Sequence, residues 1–198
     1  VFNNLTGARQ HVGNYPGVTV EKKEGTCRHR GVVIHVVDLP GVYSLTTYSI
    51  EEVVARDFLL KECPDVVVDV LDASNLERHL YLATQLMELG APLILVFNMS
   101  DIAKAKGVEF NLPELSKLLG AKIVPTVGCR NEGTSALLEA IVEVAAGPAA
   151  HPKVRVSYGR EIEEEIARLQ GVLEAEPGRL GDLPARWVAV KLLENDAE

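Results

Sequence analysis

Cysteine, aromatic residues and positive charge are all scarce in this chain of 198 residues. The three cysteines, Cys27, Cys63 and Cys129, lie far apart with no metal-ligand spacing, which fits a reducing compartment. The five histidines, His11, His29, His35, His79 and His151, do not pair at ligand spacing either, so they offer no metal site. Acidic residues outnumber basic ones by 28 to 20, the net charge is -8, and nothing forms a basic stripe, which argues against nucleic acid as a partner. No apolar run approaches the roughly 20 residues of a membrane helix, and no signal peptide is visible.

What the chain has is apolar core material, 47% of its residues, in runs that alternate with helical patterns. Strands are expected at Thr19–Gly25, Val32–Asp38, Val66–Asp72, Leu93–Asn98 and Lys122–Val127, with the first two joined as a hairpin through Thr26–Gly31. The near-continuous Val, Leu and Ile runs suit strands covered on both faces. Helices are expected at Ile50–Glu62, Leu76–Leu89, Leu112–Leu119 and Thr134–Ala146, with Gly90 and Gly120 as stops. Asp72-Ala73-Ser74-Asn75 reads as the cap of the helix that follows. The cluster Arg28-His29-Arg30 reads as a solvated hairpin turn. A boundary is expected at Gly147-Pro148-Ala149-Ala150-His151-Pro152, followed by an apolar stripe, Ile162, Ile166, Leu169, Val172 and Leu173, and a second helix after Trp187.

Four segments carry chemistry. Asp38-Leu39-Pro40-Gly41 closes an apolar strand with a carboxylate and a flexible amide, at the sheet edge where open α/β sheets bind ligands. In a nucleotide hydrolase the carboxylate reaches the magnesium shell and the Gly41 amide meets the terminal phosphate. Asn98-Met99-Ser100-Asp101 closes another strand. The Asp101 carboxylate suits the adjacent N1–H and N2–H₂ donors of guanine, and Asn98 suits O6 or N7 and bracing of the next loop. A helix cap by Ser100 or Asp101 explains part of this pattern but does not require Asn98. Gly128-Cys129-Arg130-Asn131-Glu132-Gly133 follows a third strand and would bring backbone amides to the base edge. Upstream, Gly13-Asn14-Tyr15-Pro16-Gly17-Val18-Thr19-Val20-Glu21 reads as a mobile loop. There the Thr19 hydroxyl suits magnesium and its amide the terminal phosphate.

In this order the segments resemble the cytosolic region of the ferrous iron transport protein B family. Leu5-Thr6-Gly7 and Val12 through Gly25 carry the most specific likeness, joined by Asp38-Leu39-Pro40-Gly41-Val42-Tyr43-Ser44-Leu45 and Asn98-Met99-Ser100-Asp101. Tyr158 through Glu163 and Pro184 through Glu194 are similar to that family's helical spacer. The resemblance implies an α/β fold of the P-loop GTPase type, a mostly parallel central sheet flanked by helices, with a small all-α helical domain at the C-terminal end. It implies a GTP-binding domain over residues 1–147 and a spacer over 148–198. GTP or GDP, Mg2+ and K+ are the implied cofactors. The implied nucleotide contacts are Gly17, Val18, Thr19, Val20, Glu21, Asp38, Leu39, Pro40, Gly41, Asn98, Met99, Asp101, Val127, Gly128 and Cys129. Thr19 and Asp38 would hold magnesium, and Thr19 and Gly41 would act in hydrolysis.

The partners implied are guanine nucleotide and a downstream transmembrane iron-permeation domain of the same polypeptide, at the cytoplasmic face of the bacterial inner membrane. A homo-oligomer is left open. The phosphate loop, Gly-x-x-x-x-Gly-Lys-Ser/Thr, and the strand before it are missing from the sequence. The expectation is that the parent polypeptide carries them, and that without that strand two strand edges lie unpaired. The family's Asn linked to potassium-stimulated hydrolysis belongs to that loop and has no position here. Val42 follows Gly41 where ordinary small GTPases have a water-positioning Gln, so slow turnover is expected. Met99 stands where they have Lys, so modest affinity and fast release are expected. Two other readings share the motifs: a soluble GTPase of ribosome or RNA assembly, and a non-hydrolysing guanine-nucleotide sensor.

Overall fold

The structure, a computed structural model, describes residues 1–7, 10–46, 48–147, 156–175, 180 and 183–195. Its elements run α1 (Phe2–Thr6), β1 (Gln10–Asn14), β2 (Glu21–His29), β3 (Val32–Asp38), α2 (Ile50–Glu62), β4 (Val67–Asp72), α3 (Leu76–Leu89), β5 (Leu93–Asn98), α4 (Ser100–Ala105), α5 (Leu112–Leu119), β6 (Lys122–Pro125), α6 (Thr134–Ala146), α7 (Arg160–Ala175) and α8 (Ala185–Leu193).

Five successive buried residues, Leu93 to Phe97, make β5 the driest strand. Because strand side chains alternate, they feed two layers. Leu93, Leu95 and Phe97 pack with residues of α2, α3 and α5, and Ile94 and Val96 pack with Leu137, Ala140 and Ile141 of α6 and with Leu5 of α1. Each such burial contributes about 1.5–3 kcal/mol. β4, β5 and β6 form a parallel sheet in that order, and β1, β2 and β3 form an antiparallel one. β3 pairs only with β2, and β4 only with β5, among the described residues.

Local chemistry sets the ends. Ser49 and Glu52 close a reciprocal capping box at the start of α2, with both bonds at 3.2 Å. Gly90 ends α3 in the left-handed conformation, its amide reaching the carbonyls of Leu86 and Met87. Asn75 sits at the N-cap of α3 without a side-chain cap bond, and Asp72 instead accepts from the Ser74 amide at 2.8 Å.

Several boundaries differ from the sequence reading. β1 has no counterpart in it, because Gln10–Asn14 is exposed at every position and so carries no apolar alternation. β2 starts at Glu21 rather than Thr19, since Tyr15–Val20 closes as a turn with the Tyr15 amide on the Val20 carbonyl at 2.9 Å. The β2–β3 hairpin turns through Arg30 and Gly31 alone, both at positive φ, as right-twisted strands favour. The basic cluster is not simply solvated: Arg28 and His29 lie on β2, and His29 and Arg30 reach Glu139 of α6 at 3.1 and 2.8 Å. β6 stops at Pro125, not Val127. In the C-terminal part Ile166 is buried, whereas Ile162 and Val172 of the expected stripe are exposed. Residues 148–155, most of the expected boundary, lie outside the described residues.

One core group is out of character. Asp69 shares its face of β4 with the core residues Val67 and Leu71, and its Oδ2 is buried without a partner among the described residues. Burial pushes its carboxyl up to about 7. An unfolded Asp titrates near 3.9, so the folded state holds the proton more tightly, and this stability is complete below about pH 4 and lost as pH rises through 7. Asp69→Asn is expected to flatten that loss and to raise stability at pH 8 by roughly 2–4 kcal/mol, read from denaturant unfolding at pH 5 and pH 8.

Candidate nucleotide site

One half of the candidate site is built by the ends of β5 and β6. Asn98 ends β5, and its Oδ1 accepts from the Gly128 amide at 2.9 Å and from Thr126 Oγ1 at 3.1 Å. A Cβ on residue 128 would stand 3.2 Å from that Oδ1, so glycine permits the close approach. On the other side, Asn4 of α1 donates from Nδ2 to the Gly128 carbonyl at 2.7 Å. Val127 is buried and pairs with Glu132 through backbone bonds of 3.1 and 3.3 Å, closing the loop around a short 3₁₀ turn, Gly128–Arg130. Cys129 is exposed in that turn.

α4 begins at Ser100 with Met99 as N-cap in the left-handed conformation, and no side chain caps it. Ser100 Oγ instead donates to the Thr126 carbonyl at 3.0 Å. Neither Ser100 nor Asp101 therefore acts as the cap that the sequence allows as an alternative. Asp101 stands in the first turn of α4, where the helix N-terminus favours its charge, with Arg130 Nη2 3.5 Å from its Oδ2. The Asp101 carboxylate is partly exposed beside the Gly128–Arg130 turn.

The other half of the candidate site gathers at the ends of β1 and β3. Gly13 and Asn14 belong to β1, so the loop shortens to Tyr15–Val20, with Gly17 at φ 79° and the Val18 amide on the Tyr15 carbonyl at 3.3 Å. Tyr15 is buried, and its hydroxyl donates to the Asp38 carbonyl at 3.1 Å, tying this loop to the end of β3. Burial, with Asp38 and Glu24 nearby, pushes its phenol up to about 12, so it stays a donor. Thr19 is exposed, and Glu21 opens β2 opposite Asn14, its carboxylate held by Lys23 at 2.9 Å. Burial pushes the Asp38 carboxyl up, and Lys23, directly across the hairpin, draws it back. A cation placed there would draw it further.

After Asp38, Leu39 and Val42 pack on the core, and Gly41 is exposed with open space where a side chain would stand. Ser44 and Thr46 both donate to Glu52 of α2, Thr46 at 2.9 Å. Burial alone would raise the Glu52 carboxyl; its bonds to Ser44, Thr46 and Ser49 outweigh that and hold it low. The structure thus brings Asn98, Asp101, Val127 and Gly128 into one half, and the Tyr15–Val20 loop and Asp38 into the other. Sequence reading missed Asn4, Tyr15, Thr126 and Arg130. Of these only Arg130 carried a signal, a cation two residues past the small Gly128.

The sequence matches the family profile described as Ferrous iron transport protein B over residues 1–141, and that described as FeoB cytosolic helical domain over residues 158–198. This chain belongs to the ferrous iron transport protein B family. Among family members, it is 44% identical over 201 residues to an Fe(2+) transport protein A/Fe(2+) transporter FeoB fusion protein of Porphyromonas gingivalis, covering all of this chain and 24% of that protein. The chain spans about a quarter of the length of the curated relatives it matches. Its structure superposes on the cytosolic domain of the T. maritima FeoB iron transporter in a GDP form with TM-score 0.93, at 40% identity, covering 100% of this chain and 76% of that one. The GMPPNP form of the same domain gives TM-score 0.91 at 40% identity, with the same coverage of 100% and 76%.

The family's α/β domain with a parallel sheet and a C-terminal helical part is what the chain folds into. Its base loop has one strict steric demand. Gly133 sits at φ 83°, and a Cβ there would lie 2.4 Å from the Pro125 carbonyl oxygen. Gly133→Ala is expected to cost at least about 2 kcal/mol in thermal unfolding, through combined backbone strain and overpacking.

Proposed function

We propose that this chain binds GTP and hydrolyses it slowly, as the regulatory cytosolic part of a ferrous iron transporter whose pore lies elsewhere in the polypeptide. The observation that carries the reading is the base half: Asn98 braces Gly128 while Asp101 stands beside it without serving as a helix cap. Relatives of the same fold were solved in GDP and GMPPNP forms, which supports guanine nucleotide as the ligand.

In this reading Asp101 accepts from N1–H and N2–H₂ of guanine, Asn98 holds the loop that carries Val127, Gly128 and Cys129 against the base edge, and Met99 lies along the ring. Gly17, Val18, Thr19, Val20 and Glu21 form the loop that orders on the triphosphate. Leu39 and Pro40 fix the turn that presents the Gly41 amide to the terminal phosphate. Asp38 and the Thr19 hydroxyl are the residues that would hold magnesium. One carboxylate suits an ion that keeps several waters and takes phosphate oxygens for the rest, and Asp38 is a desolvated carboxylate at a strand end. When bound, Mg2+ neutralises charge developing on the phosphate oxygens. Val42 packs on the core and offers nothing to orient water, so backbone groups of the Thr19 loop take that task and turnover is slow. A monovalent cation, K+, would supply the remaining positive charge.

The nucleotide state of the Thr19 loop and of residues 38–49 would then pass to the helical part over 148–198 and on to the membrane part at the cytoplasmic face of the inner membrane. The base assignment is tested by Asp101→Asn, which is expected to weaken GTP binding and move preference toward xanthosine triphosphate; an unchanged preference rejects it. The hydrolytic assignment is tested by turnover of the full-length transporter in potassium against sodium. Slow hydrolysis that rises with potassium is the expected result. Binding without turnover in either salt would instead favour a nucleotide sensor.

A further inference from the structure

α3 carries four polar side chains on one stripe. Arg78, Tyr81, Gln85 and Glu88 recur at intervals of three and four, so they share a helix face over about 15 Å. Two of them hold the segment that follows Asp38. The Arg78 guanidinium lies 4.0 Å from the centre of the Tyr43 ring, and Gln85 Oε1 accepts from the Leu45 amide at 2.6 Å. The other two hold the C-terminal helical part. Glu88 accepts from Arg186 Nε of α8 at 2.9 Å, and Tyr81 reaches Glu194 at 3.4 Å. The same Arg186 takes both oxygens of Glu163 on α7, at 2.8 and 2.9 Å, and the Val156 carbonyl at 2.8 Å.

These contacts differ in kind from surface pairs. Gln85, Glu88 and Arg186 are all more than nine-tenths buried. A single acceptor bond holds the Leu45 amide to a helix 40 residues away, and Gln85 Nε2 has no partner among the described residues. Leu45 itself is 1% exposed. Water cannot replace the Gln85 oxygen there, so the amide must follow the carboxamide or lose the one acceptor it has among the described residues. The carboxamide sits one turn of helix from Glu88, whose position Arg186 fixes.

We infer that Gln85 is a positioning residue for the Gly41–Thr46 segment, and that the Glu88–Arg186–Glu163 cluster, buried at Glu88 and Arg186, sets where it stands through α3. This rests on the GTPase reading for its effect on turnover, but not for the mechanical link. The link alone predicts that loosening Glu88 frees the Leu45 amide.

The test uses the full-length transporter with Gln85→Met, which keeps volume and loses the acceptor, Gln85→Glu, which keeps an acceptor oxygen, and Glu88→Gln. Gln85→Met is expected to lower kcat for GTP about tenfold with GDP affinity within about twofold, as a displaced catalytic segment does. Gln85→Glu should recover most of that loss. Glu88→Gln should lower kcat less, and the Gln85→Met/Glu88→Gln double variant should be no slower than Gln85→Met, because both act through one link. Hydrogen exchange of residues 42–46 should quicken in both Gln85→Met and Glu88→Gln. Unchanged exchange in Glu88→Gln, additive effects on kcat, or equal losses in kcat and GDP affinity would overturn the inference. If the parent protein hydrolyses no GTP, the GTPase reading falls while hydrogen exchange still decides the link.

Discussion

β5 meets water on neither face, and the geometry of the candidate site follows from how such a strand must end. Its backbone groups have to find partners inside the protein until the chain reaches the surface. The Asn98 carbonyl accepts from Ala73 at 2.9 Å and the Phe97 carbonyl from Thr126 at 2.9 Å, which aligns the ends of β4, β5 and β6 at one edge. The Asn98 side chain then continues the ladder sideways into the Gly128 loop. A loop held through its amide by Asn98 and through its carbonyl by Asn4 has little freedom left. In the proposed function such preorganised acceptors and amides would discriminate between planar bases, since a wrong base would leave them unpaired.

The same economy of partners shapes the contact between the two parts of the chain. A buried arginine is tolerated only when its donors are filled, and Arg186 spends its donors on two carboxylates and a carbonyl. Those acceptors come from α3, α7 and the segment ahead of α7, so the cation fixes three pieces of chain at once. Its proton is held well above the ordinary guanidinium value, chiefly by the Glu163 bonds with Glu88 adding to them. Such a cluster contributes more to a unique arrangement than to net stability, because its desolvation cost offsets most of the attraction.

Where the sequence was legible, one physical signal dominated. Val32–Asp38, Leu93–Asn98, Ile50–Glu62, Leu76–Leu89, Leu112–Leu119 and Thr134–Ala146 appear with the bounds that apolar periodicity and glycine stops imply. β1 escaped because an exposed edge strand needs no apolar pattern, and the start of β2 shifted because Tyr15 closes the preceding turn from a distance of five residues. Asn98 and Asp101 were readable as a pair of types at a fixed spacing after a strand. Asn4 and Thr126 were not, because their roles come from contacts 124 and 28 residues away that no local pattern announces.

Glycines show how far a motif can be argued from the fold alone. At Gly133 the backbone and the Pro125 carbonyl leave no room for a methyl group, so the residue explains itself without any ligand. At Gly41 the opposite holds: a Cβ would meet nothing within 4 Å, and no left-handed φ demands glycine. The fold therefore gives Gly41 no reason to lack a side chain. In the function proposed above, the open space at Gly41 would leave room for a group approaching its backbone amide. Gly41 follows Asp38 by three residues, at the carboxyl edge of a strand and across from the loop that Tyr15 ties down. In that proposal the terminal phosphate would take this place, and Asp38 is one of the residues that would hold the cation neutralising it.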